Sequence, residues 1–135
     1  MKWNNILWEL PQTILGFIVS KIFTIESTEY FNERKLMIFK KDKWFSKKSA
    51  GVSLGYFILL PSTSCKITHK QHEYGHCMQS KKSGWLYLLI FGLPSLTNNL
   101  WDRLMHKKWS RERREKWYYS RFPEKQADLL GGVIR

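Results

Sequence analysis

The stretch Lys70–Ser80, KQHEYGHCMQS, decides how the chain is read. If it is helical, His72 and His76 stand four residues apart on one face, both imidazoles can reach one tetrahedral ion, and Glu73 can address a water bound to it. Such a site uses zinc to acidify the water and a carboxylate to take its proton. The neighbourhood predicts that helix: Thr68 and Gln71 have the spacing of a capping box. The helix is expected to run to about Lys82, where Lys81 and Lys82 suit the negative end of the helix dipole and Gly84 supplies a stop. Gly75 falls on the histidine face. A helix loses about 1 kcal/mol by carrying Gly in place of Ala, so the missing side chain is read as room for another backbone near the metal. Tyr74, Cys77 and Met78 point the other way, toward a core. Gln79 returns to the metal side, where a surface role serves it equally well.

A catalytic zinc needs a third protein ligand and an open fourth position. The downstream acids are Asp102, Glu112, Glu115, Glu124 and Asp128. Glu112 and Glu115 sit among arginines and read as their ion-pair partners, as does Asp102 beside Arg103. Glu124 and Asp128 are four apart on a short helix that Pro123 opens and Gly131–Gly132 closes, so one could ligate while the other orients a ligand histidine. His69, one turn before His72, is a rival third ligand. Cys65 is a weaker rival, and Cys77 points away from the histidines.

His72-Glu73-x-x-His76 followed by Glu124-x-x-x-Asp128 resembles the gluzincin metallopeptidases, the thermolysin-like clan, and in size the minigluzincins. The resemblance implies one zinc ion per chain, with His72, His76 and Glu124 as ligands, Glu73 as general base and acid, and Asp128 bonding a ligand histidine. It implies a rim strand, matched by GVSLGYFILL (Gly51–Leu60), along which a peptide lies extended. It also calls for a transition-state electrophile, for which Tyr118, Tyr119 and His106 are the candidates.

Around these motifs the expected fold is a single α+β domain over residues 1–135, with no repeat or linker. A helix over about Gln12–Lys21 carries an apolar stripe of Ile14, Leu15, Ile18, Val19 and Ile22, read as core. Strands at Lys35–Lys40 and Gly51–Leu60 are expected to pair antiparallel ahead of the active-site helix. The apolar WLYLLIF after Gly84 reads as a buried backing helix that Pro94 breaks or restarts.

The chain carries 23 Lys and Arg against 11 acids, a net charge of +12, and 16% aromatic residues. That composition excludes disorder and implies attraction to polyanions. Nucleic acid is disfavoured because no zinc-finger spacing, phosphate loop or RNA-binding aromatic signature accompanies the charge. Peripheral association with an anionic membrane remains open, since each apolar run is shorter than the roughly 20 residues of a spanning helix. Two cysteines form no disulfide framework. No signal peptide is recognised in the N-terminal segment, where Glu9 and Pro11 interrupt the apolar run, so the cytoplasm or a membrane periphery is expected. Beside an active peptidase of peptide or protein substrates stand two other readings: a weak or latent zinc- and peptide-binding relative, and a basic, aromatic-rich membrane-associated protein.

Overall fold

The computed structural model describes residues 2–135 and is α+β. Helices α1 (Trp3–Trp8) and α2 (Leu10–Ile22) lead into strands β1 (Ile25–Phe31), β2 (Arg34–Phe39), β3 (Val52–Leu54) and β4 (Phe57–Pro61). Helix α3 (Ile67–Ser83) follows, then a π-helical turn over Leu88–Gly92, α4 (Leu93–Met105), α5 (Arg111–Tyr119) and α6 (Glu124–Gly131).

The sheet is mixed, in the order β1-β2-β4-β3, with β2 and β4 parallel. The expected antiparallel pairing fails because GVSLGYFILL is not one strand. Gly55, with φ +61°, and Tyr56 turn it into a hairpin in which Leu54 faces Phe57. That reversal sends β4 back alongside β2 and leaves β3 on the sheet edge. Strand β1 escapes a search for apolar runs because its central residues are exposed. It forms an edge joined to β2 by Asn32 and Glu33, both at positive φ, the two-residue turn that suits a twisted hairpin.

Alternate residues of the inner strands feed two small cores, as the pleat requires. Leu36, Ile58 and Leu60 pack with Cys77 and Tyr74 of α3 on one face. Met37, Phe39 and Leu59 pack with Val19 and Phe23 on the other. The sheet is therefore held between α3 and α2.

Two helices turn their apolar faces the opposite way from expectation. In α2 the buried residues are Gln12, Gly16 and Ser20, whereas Ile14 and Ile18 are 50% and 52% exposed. Gly16 allows the close fit, since a Cβ there would lie 2.8 Å from the Leu54 carbonyl oxygen. Gln12 belongs to a buried polar knot in which its Nε2 donates to Ser80 Oγ and to the Gly84 carbonyl, each at 2.9 Å. Arg34 joins the knot, reaching Glu9 at 3.0 Å and the Gly55 carbonyl at 2.8 Å. These bonds draw the polar side of α2 inward, leaving its apolar stripe outside, Val19 excepted.

The expected backing helix is likewise not buried. Only Tyr87 of WLYLLIF is buried, its hydroxyl donating to the Ser53 carbonyl at 3.1 Å. Pro94 sits in the first turn of α4, which directs Ser95, Asn98 and Asp102 to protein partners, while Leu96 and Leu104 are 56% and 67% exposed. No helix among the described residues is long and apolar enough to cross a membrane.

Candidate metal centre

Helix α3 begins at Ile67, a little earlier than the Thr68 capping box predicts. The imidazole of His69 instead accepts the Lys66 backbone N–H at 3.3 Å. His69 is thus engaged at the helix start rather than with the histidine pair. Its pKa is lowered by burial and by the nearby Arg135 and Lys66 charges.

His72 and His76 face α6, and glycine sets how near α6 comes. A Cβ on Gly75 would fall inside contact distance of the Ala127 carbonyl, and one on Gly131 would do the same to the Gln71 carbonyl. The two helices therefore touch backbone to backbone at both glycines, which brings the carboxylate of Glu124 across to α3. His72 Nε2 and His76 Nε2 lie 3.0 and 2.9 Å from the same Glu124 oxygen, Oε2. The three residues are buried, with ligand atoms within 4.8 Å of one another, and form a group that could hold a metal ion.

The outer ring nitrogens explain why that group calls for a cation. His72 Nδ1 is 2.7 Å from Asp128 Oδ1, and His76 Nδ1 is 2.8 Å from Gln79 Oε1. The orientation of the Gln79 amide is fixed by its Nε2, which donates to the Pro123 carbonyl at 2.9 Å and to Gln126 at 3.0 Å. Each Nδ1 thus carries a proton and donates it outward, and neutral rings would aim both Nε2 lone pairs at a carboxylate oxygen. Only positive charge between them, two protons or one ion, relieves that repulsion. Burial by itself lowers the pKa of His72, but the bonds to Asp128 and Glu124 outweigh it and lift the value to about 9. His76 is raised by the same balance, with Glu124 prevailing over burial. Burial would raise Glu124, yet the bonds from His72, His76 and Ser95 hold it well below the usual carboxylate range.

Glu73 is 7% exposed, and its Oε2 is buried with no hydrogen-bond partner. Burial pushes its pKa up against the pull of His76 and His72. The loop leading into β3 crosses beside it, and a Cβ on Gly51 would lie 2.8 Å from Glu73 Oε1. An unpartnered buried carboxylate next to three converging donor atoms fits a site built around an ion and a water.

The remaining predicted residues divide. Tyr119 stands edge-on to His72 with ring centres 5.2 Å apart, and the Arg135 guanidinium covers its ring at 3.4 Å. Burial raises its phenol to about 12. Tyr118 lies among Glu124, Ser95 and Asn99 and is also raised by burial. His106 is engaged elsewhere, bonded to Asp102 at 2.9 Å and stacked on Trp109. Asp102 pairs with Arg114 at 2.8 Å rather than with its neighbour Arg103. Glu115 pairs with Arg111 as expected. Cys65 donates to the Ser62 carbonyl, and burial raises the Cys77 thiol to about 12, so it packs as an uncharged group.

Two supporting residues escaped the sequence reading, and a third, Gln79, was placed on the metal side without a role. Ser95 of α4 donates to Glu124 Oε1. Arg135 holds Asp128 through Nε at 2.6 Å and Nη2 at 3.2 Å. Gln79 turns out to be the orienter of His76. Only Gln79 carried a signal, its spacing of three from His76 on one helix. Asp128→Asn, which leaves the His72 Nδ1 partner uncharged, is expected to weaken metal binding by roughly tenfold without abolishing it. Competition against a chelator measures this.

No protein-family model, curated protein or solved structure matches this chain.

Proposed function

We propose that the chain is a zinc-dependent metallopeptidase of gluzincin type. The observation that carries this reading is the convergence of His72 Nε2, His76 Nε2 and Glu124 Oε2, with both Nδ1 protons committed outward and the unpartnered Glu73 carboxylate alongside. Two imidazoles and one carboxylate match the donor set of a catalytic zinc with one position left for water. When bound there, zinc supplies Lewis acidity to a water and to a substrate carbonyl.

The protein's own groups divide the remaining work. Glu73 Oε2 accepts a proton from the attacking water and returns it to the leaving amine nitrogen. Its burial-raised proton affinity suits both transfers. Asp128 and Gln79 hold the two rings in the tautomer that keeps Nε2 free for the ion. Tyr119, still protonated at neutral pH, is the phenol we assign to the developing oxyanion, because its ring stands edge-on against His72. Strand β3 is the edge strand whose approach passes Glu73, and a peptide laid along it would have to compete with the Tyr87 hydroxyl for the Ser53 carbonyl.

Elemental analysis of the dialysed protein and of Glu124→Ala, with a peptide-cleavage assay on the same samples, tests the proposal. One zinc per chain is expected, lost along with hydrolysis in the variant. A protein without zinc, or with zinc indifferent to Glu124, would overturn the reading.

A further inference from the structure

The outward faces of α2 and α4 carry the inference, and it stands apart from the metal centre. Both helices are amphipathic, and both spend their polar side on the protein interior. In α4, Ser95 reaches Glu124, Asn98 donates to the Phe122 carbonyl at 2.9 Å, and Asp102 binds Arg114 and His106. Leu93, Leu96, Leu100 and Leu104 recur at helical spacing on the other side, each at least half exposed. Polar groups inside and an apolar stripe outside is the arrangement of a helix whose outer medium is itself apolar.

Two tryptophans stand where the segments leading into these helices meet, Trp8 ahead of α2 and Trp85 ahead of α4. The Trp8 indole N–H donates to the Lys81 carbonyl at 3.0 Å, and that of Trp85 to the Leu7 carbonyl at 2.9 Å. Both rings remain largely exposed, so their apolar bodies face outward with the polar edge already satisfied. Cations stand at the ends of the elements that carry or adjoin these faces. Lys81 and Lys82 end α3 beside Trp8, Lys21 lies over Phe17 at the end of α2, and Lys107 and Lys108 follow α4.

Charge chooses among the occupants of this face. A second copy also carries +12 and brings the same cations with it. An anionic bilayer offers hydrocarbon to the leucines and tryptophans and phosphate to the lysines. We infer that the outward faces of α2 and α4, together with Trp8 and Trp85, seat the protein on the surface of an anionic lipid bilayer. The seat is shallow. Helix α2 has 13 residues, about 20 Å of helix against about 30 Å of hydrocarbon, and α4 keeps a polar side that must stay with the protein.

Sedimentation of the full chain with vesicles of phosphatidylcholine, alone or mixed with phosphatidylserine, tests this. Binding to the mixed vesicles is expected to be at least about tenfold tighter than to the neutral ones and to weaken with salt. The double variant Leu96→Glu, Leu100→Glu should bind the mixed vesicles at least about tenfold less. Its circular dichroism should match that of the parent, because both side chains are exposed. Equal binding to the two vesicle types, or a double variant that binds like the parent, would overturn the proposal. So would light scattering that shows a dimer which the same variant splits, since a second copy would then own the face.

Discussion

Glu73→Gln is expected to keep its zinc and lose peptide hydrolysis by a factor of about 10² to 10⁴, the range general-base catalysis supplies. Glu73 is not one of the three converging donors, so metal content should not change. The substitution preserves the shape of the side chain but removes its ability to take a proton. The readout is therefore the split between two measurements: zinc per chain, unchanged, and turnover, collapsed. Turnover that survives would remove Glu73 from the mechanism even if the metal stays. Loss of both would mean that Glu73 shapes the site rather than serving it as a base.

Gly75→Ala is expected to do the most damage to the fold for the smallest chemical change. The new methyl would meet the carbonyl of Ala127, which belongs to a helix backbone and cannot swing aside. Helix α6 must then move off α3, at a cost of about 3 kcal/mol or more if such overpacking finds no relief. Glu124 and Asp128 ride on α6, so zinc should be lost together with stability. Gly92→Ala is the matched control, because a methyl there meets nothing closer than 3.5 Å. A urea midpoint for both variants, with zinc content beside it, separates the outcomes. If Gly75→Ala unfolds at the parental midpoint, the backbone contact between α3 and α6 is not as close as described.

The parts legible in the sequence were those fixed by local spacing. His72 and His76 needed only the helical repeat to be placed on one face, and Pro123 with Gly131–Gly132 bounded α6 by ordinary start and stop chemistry. Gly75 announced a close approach because its cost in a helix asks for a reason. Direction was what spacing could not supply. The stripe of Ile14, Ile18 and Ile22 shows that one face of α2 is apolar, and the same pattern serves a face turned to the core or away from it. The decision lay in Gln12, whose partners Ser80 and Gly84 are some seventy residues away. WLYLLIF was misread for the same reason. In GVSLGYFILL the error was one of topology: Gly55 was passed over as part of a strand, and with it went the hairpin that makes β4 parallel to β2. Arg135 reaches Asp128 because the chain turns back at Gly132, at φ +77°, and helical spacing does not predict a contact made beyond the end of the helix.

The route of the chain between the two halves of the candidate metal centre would give a bound ion a second consequence. His76 and Glu124 are 48 residues apart, and the stretch between them contains α4 and α5, much of whose surface faces outward. An ion shared by these two side chains closes that stretch into a loop, much as a disulfide would. By the usual chain-entropy relation, a cross-link of that span is equivalent to about 4 kcal/mol drawn from the unfolded ensemble. A chelator would then act as a reductant does on a stapled protein, loosening the C-terminal third of the chain and stopping any chemistry in one step.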